Sequence, residues 1–398
     1  MSIKLKNITL PRILAFLFAL YPCLNDMYIN GNFKINNLIL VVLVITSMTG
    51  VLKKKIDMSL EEKILGIILV ISLFSTIMSM LFYRIHFPVG YWIHLISMIV
   101  LIVLYRRFYF DSLCYWRWMY IFVAMLCAIL FFQEFQKIAT GEFTVFVDNA
   151  QKERVASIFS EPTHYTLLAT IAIISSLQKL DNLQITDRKR VIYSIVLSFS
   201  ILISSSSTGL VYLLFAWGVW LIHNKNVKLK ILFAIGGFAT IIFLMSRGEW
   251  LKVSIEHFRD MDFRGITSGS FRVARGYAIF MEIAPFQKLI GIGSGMIGGI
   301  VNTLRIVTMY DGHENIGSNY ASALSSILLH TGIIGFAVFI FMIVYIFKKS
   351  DRKGRYIVVL YFLYVFSNEI IYTPQLIIPL FLILERLKGQ TIISRKGN

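Results

Sequence analysis

The chain has 398 residues, 57% of them hydrophobic and 15% charged, with a formal net charge of +17. A soluble domain carries roughly a quarter charged residues, so this composition excludes one water-soluble core. The basic excess does not point to nucleic acid: Lys and Arg stand in short clusters between apolar blocks and build no basic face.

From the N-terminus, the basic stretch Met1 to Asn7 leads into an apolar run ending near Leu20, with no small-residue cleavage site after it. This predicts an uncleaved first helix. Apolar runs long enough to cross a bilayer, roughly 17–25 residues, then predict twelve spans. They lie at 9–25, 36–52, 63–82, 88–105, 116–134, 157–177, 190–205, 208–223, 229–246, 320–347, 355–371 and 374–387. The even-numbered connections and the two termini hold 26 of the 39 basic residues, and eight of the other 13 fall in one long connection, 247–319. Long loops escape the positive-inside rule. The expectation is therefore an all-α polytopic membrane protein, a single membrane domain over 1–398 with N-in/C-in topology. Its long external loop, 247–319, joins spans nine and ten.

Within that loop, residues 268–289 alternate apolar and polar in the manner of an interfacial amphipathic helix. The following GIGSGMIGG, 291–299, is turn-rich. No inverted or tandem repeat marks a two-halves transporter. Cys23, Cys114 and Cys127 show neither metal-ligand spacing nor a disulfide framework.

Polar groups at membrane depth are costly and therefore candidates for function. The densest cluster is RVASIFSEPTHY, Arg154 to Tyr165. Pro162 fits the first turn of a helix and not its interior, so the sixth helix is expected to start at Glu161–Pro162. Glu161, His164 and Tyr165 then share a face of that turn, and Arg154 adds a guanidinium. Asp260-Met261-Asp262 has the D-x-D form of a metal-nucleotide site. It lies in the external loop, away from nucleotide sugars, and is not read as one.

The run R-x-x-S-x-F-x-E-P-T-H-Y at 154–165 resembles the O-antigen and capsular repeat-unit polymerases of the O-antigen ligase/polymerase superfamily. Ser270-Phe271-Arg272, then GIGSG at 291–295, resembles that superfamily's long external loop. Asn319-Tyr320 with Leu324, and Gly332 to Gly335, resembles the helix after it. The resemblance implies a metal-independent glycosyltransferase, without cofactor, in the bacterial cytoplasmic (inner) membrane, its active site facing the periplasm. Donor and acceptor would both be undecaprenyl diphosphate-linked oligosaccharides. Membrane lipids and a chain-length regulator protein are the further partners implied.

Such chemistry needs cations for the leaving diphosphate and a base for the attacking hydroxyl. Arg272 matches the superfamily arginine of the loop. Arg275, one helical turn on, and Arg154 are taken with it as a phosphate clamp. Glu161 and His313, in DGHENIGSN, are the candidate bases. His164, Tyr165, Asn319 and Tyr320 are expected at the substrate, and Tyr165, Tyr277 and Tyr320 are aromatics suited to sugar faces. Where the ligases carry Ser-Arg-Gly, this chain reads Ser207-Thr208-Gly209. That departure favours a polymerase over a ligase joining polymer to lipid A core. A lipid-linked oligosaccharide flippase is the alternative from another class.

Overall fold

The computed structural model describes residues 9–24, 27–29, 33–51, 59–108, 111–144, 154–223, 269–310, 313–316, 321–368 and 377–387. The expected ninth span and Asp260–Asp262 lie outside the described residues. In chain order the elements are α1 Leu10–Leu20, a 3-10 turn Tyr21–Leu24, and the short hairpin β1 Tyr28–Ile29 and β2 Phe33–Lys34. Next come α2 Ile35–Val51, α3 Leu60–Tyr83, α4 Val89–Phe108, α5 Ser112–Thr140, α6 Pro162–Leu177, α7 Asp187–Ile203 and α8 Ser207–His223. After these follow α9 Gly269–Glu282, α10 Pro285–Ile290, α11 Ile297–Thr303, the hairpin β3 Val307–Tyr310 and β4 His313–Ile316, α12 Ala323–Lys349 and α13 Arg352–Ser367. Residues 377–387 are helical.

The protein is mostly helical. Among the described residues three helices, α3, α5 and α12, are long and apolar enough to cross a membrane, and shorter apolar helices accompany them at Leu10–Leu24, Ile35–Thr46, Val89–Val100 and Thr208–His223. The chain forms two compact units. One joins Met1–Asn37 to Asp111–Asp262, and the other joins Leu38–Phe110 to Phe263–Asn398.

In the first unit α5 starts at Asp111, whose carboxylate accepts the Cys114 N–H at 3.0 Å, an N-cap for the orphan donors of the first turn. It stops at Gly141 in the left-handed region, which a glycine enters without steric cost. Phe16 of α1 meets Trp118 of α5 edge-on at 4.8 Å. The α6–α7 connection is closed by a buried ion pair, Arg190 gripping both Asp181 oxygens at 2.7 Å. Tyr120 donates to the same carboxylate, and Arg190 also donates to the carbonyls of Ser176 and Leu183. Buried charges persist where partners satisfy them in this way.

In the second unit a reciprocal capping box between Ser59 and Glu62 starts α3. The Lys349 ammonium at the end of α12 pairs with the buried Glu61 at 2.8 Å. Asp351 caps α13 through the Gly354 N–H and is held by the Arg386 guanidinium, which keeps its carboxyl below the usual range.

Two elements differ from expectation. The stretch 268–289 is not one helix: α9 ends at Glu282 and Pro285 opens α10, because proline cannot donate within a helix but suits its first turn. The span expected at 320–347 is broken at Gly332, where φ is 63° and ψ −170°.

Candidate functional site

The segment that precedes α6 is drawn into the first unit by Gln133 of α5. Its amide Nε2 donates to the carbonyls of Ser157 at 2.8 Å and Thr144 at 2.9 Å. The Ser157 N–H returns a bond to Gln133 Oε1 at 2.8 Å. The Ser157 hydroxyl donates to the Leu126 carbonyl at 2.9 Å. Ser157 holds a left-handed backbone, φ 59°, an uncommon conformation for a residue with a Cβ that these bonds impose. Val155, Ala156 and Phe159 are buried with it. Gln133 lies about two turns, roughly 10 Å, before the end of α5. The entry to α6 is therefore recessed beside a helix whose Phe132, Phe135 and Ile138 remain exposed.

The helix then starts where the sequence places it. Glu161 is the N-cap residue in extended conformation and Pro162 is at the first helical position; the Glu161 side chain does not cap the helix. The positive end of the α6 dipole thus faces this recess. Arg154, Glu161 and His164 are each half-buried, and the His164 ring meets Phe159 edge-on at 6.2 Å. Arg154, Glu161 and His164 thus stand along one short stretch that leads into the helix terminus, a guanidinium, a carboxylate and an imidazole.

Tyr165 does not present its ring there. It is fully buried, its hydroxyl hydrogen-bonded to the Ser200 hydroxyl of α7, so its contribution is to hold α6 against α7. Thr166 packs on Gly209, where a Cβ would approach the threonine side chain to 2.7 Å. Gly209 takes the Ser206 cap at 3.1 Å. The start of α8 at Gly209 therefore sits against Thr166 of α6, and the neighbouring Thr208 is half-buried.

The remaining expected residues belong to the second unit or lie outside the described residues. Arg272 and Arg275 occupy α9 one turn apart, and their side chains lie outside the description. His313 opens β4, paired with Tyr310, its side chain likewise outside. Asn319 and Tyr320 lie outside the described residues altogether. Tyr277 is exposed on α9.

Sequence reasoning passed over Gln133, although a signal was present. An amide inside the apolar run of α5 is expensive unless bonded, and its partner was the serine of the same R-x-x-S-x-F motif.

Compared with models of known protein families and with curated proteins, the chain gives no match.

Proposed function

We propose that this protein is a membrane-embedded, metal-independent glycosyltransferase that polymerises undecaprenyl diphosphate-linked repeat units into O-antigen or a related surface polysaccharide. The observation that carries the reading is the recessed entry to α6. There Arg154, Glu161 and His164 stay partly open around a helix N-terminus, while the intervening Val155, Ala156, Ser157 and Phe159 are buried. The apolar helices supply the membrane setting that a polyprenyl carrier requires.

In this reading the chemistry divides among few groups. Guanidinium groups stabilise the departing diphosphate, for which their planar fork is suited. Arg272 is the first candidate, with Arg275 and Arg154 beside it in role. Glu161 is the candidate base for the acceptor hydroxyl, with His313 as the second candidate. His164 contributes a hydrogen bond to the bound glycan, as do Asn319 and Tyr320. The twelve-span, N-in/C-in topology belongs to the same proposal and puts the start of α6 on the periplasmic side. Thr208 standing where the ligases have arginine favours chain extension over transfer to lipid A core.

The test is reconstitution of purified protein with undecaprenyl diphosphate-linked repeat units as the sole substrate, in chelator, with products resolved by size. A ladder is expected. Arg272→Ala is expected to abolish it and Arg154→Ala to cut its yield at least tenfold, about 1.4 kcal/mol of lost transition-state stabilisation. No ladder from folded wild-type protein with authentic substrate would overturn the proposal.

A further inference from the structure

The turn-rich segment after α10 packs against the middle of a membrane-length helix. Along one face of α3 stand Ser72, Ser75, Ser79 and Tyr83, which with Thr76 are the polar positions of its stretch from Ile64 to Tyr83. Each of the four is paired to the segment. Tyr83 donates to the Gln287 side chain, whose amide donates to Ser79 at 3.3 Å. Ser75 donates to the Ile290 carbonyl. Ser72 shares a hydroxyl pair with Ser294 at 2.6 Å and accepts the Ser294 N–H at 3.2 Å. Reading from Tyr83 to Ser72, the partners advance from 287 to 294. The segment therefore runs down α3 for about three helical turns, roughly 16 Å, half of a hydrocarbon core of about 30 Å.

At its tip the segment meets the break in α12. The Ile292 N–H donates to the Leu329 carbonyl at 2.7 Å and the Gly293 N–H to the His330 carbonyl at 3.0 Å. These are acceptors that the break at Gly332 releases from the helix ladder. Non-helical backbone at membrane depth survives only where protein satisfies its polar groups, and here both irregular backbones satisfy each other. The way back runs along the α3–α4 connection, with Gly295 against Pro88 and Gly299 against Ile85.

The outward side of the segment carries Phe286 and Leu289, with Lys288 between them half-buried. Phe286 and Leu289 are 44% and 51% exposed, beside Leu81 and Phe82 of α3 at 72% and 64%. The Phe82 and Phe286 rings lie 6.4 Å apart, so the two surfaces are continuous. Ile333 and Ile334, just past the break, are exposed as well.

We propose that residues 285–303 form a re-entrant membrane segment and that Phe286 and Leu289 extend the lipid-facing surface of α3 into hydrocarbon. The segment enters and leaves on one side, inside a stretch whose sequence reads as an external loop. The inference rests on the packing of α3, α10 and α12 and is independent of the catalytic reading.

The test is site-directed spin labelling of Leu289→Cys and, separately, Phe286→Cys. Each is made in full-length protein carrying Cys114→Ser and reconstituted in phosphatidylethanolamine–phosphatidylglycerol liposomes. Unlabelled background is checked with the two buried native cysteines, Cys23 and Cys127, in place. Phe74→Cys on the exposed face of α3 and Glu142→Cys beyond the end of α5 serve as the lipid and water references. At 286 and 289 collision with oxygen is expected to exceed collision with a water-soluble nickel chelate several-fold, matching position 74. A chelate-dominated signal like that of position 142 would overturn the proposal. So would protection from both collision partners, which would mean that protein covers this face. Two adjacent positions keep the result decisive if one variant misfolds.

Discussion

At the scale of single residues, Gln133 ties the candidate site to the fold. Its carboxamide satisfies the backbone of Ser157 in both directions and also takes the Thr144 carbonyl. In a buried setting each orphaned backbone group costs about 1–3 kcal/mol. Gln133→Leu, close in volume but unable to bond, orphans the Ser157 N–H and carbonyl together. We expect destabilisation of about 2–4 kcal/mol, read as a lowered melting temperature in detergent. Polymer yield should fall at temperatures where the variant stays folded, because the left-handed turn at Ser157 loses what holds it. Gln133→Glu sets a buried carboxylate against the two carbonyls that the amide nitrogen served and should cost at least as much as leucine. A Leu variant with wild-type melting and yield would show that the loop holds its shape without the clasp.

At the scale of elements, two glycine positions carry the junction between α12 and the segment before it. A Cβ on Gly332 would fall on the backbone of Leu289 and Gly291, and one on Gly293 on the backbone of Thr76. Both glycines have positive φ, so alanine meets steric overlap and backbone strain together. Gly332→Ala and Gly293→Ala should each cost on the order of 3 kcal/mol or more. Gly66→Ala in α3, with open space around the new methyl, should be neutral or slightly stabilising. Melting of the three variants side by side separates a tight-approach effect from a general intolerance of substitution. These elements also mark the limit of what hydropathy reveals. The start of α6 was legible because Pro162 has one comfortable place in a helix. The burial of 155–159 was not, since apolar residues before a helix read as more of the same span. The break in α12 has no proline to announce it and depends on a backbone partner some 40 residues upstream in the chain. Nor does hydropathy single out the serines of α3, whose partners lie on 287–294. For the candidate site, Arg154, Glu161 and His164 are named by one local motif, and each is half-buried. The orientation of Tyr165 toward Ser200 depended on α7 and could not.

At the scale of the whole molecule, the twelve-span reading and the re-entrant segment constrain each other. A re-entrant loop adds no crossing, so it leaves the alternation of basic clusters intact. The start of α9 and the end of α11 would then lie on one face of the membrane. In the proposed N-in/C-in topology the end of α5 at Gly141 is external as well, and the connection holding Lys179, Arg188 and Lys189, with the Asp181–Arg190 pair, is cytoplasmic. Were 285–303 instead a full crossing, everything from α12 onward would invert, and the cluster Lys348, Lys349, Arg352 and Lys353 would face outward against the charge rule. Alkaline phosphatase fusions after Gly141 and after Arg305 should both be active, since the enzyme matures only outside the cytoplasm. Fusions after Asn182 and after Lys353 should be inactive there and fluorescent with a cytoplasmic reporter. Activity at Gly141 with none at Arg305 would mean that 285–303 crosses the bilayer. Activity after Asn182 with none after Gly141 would refute the N-in arrangement whatever the segment does, and with it the placement of the α6 entry on the side where lipid-linked glycan is displayed.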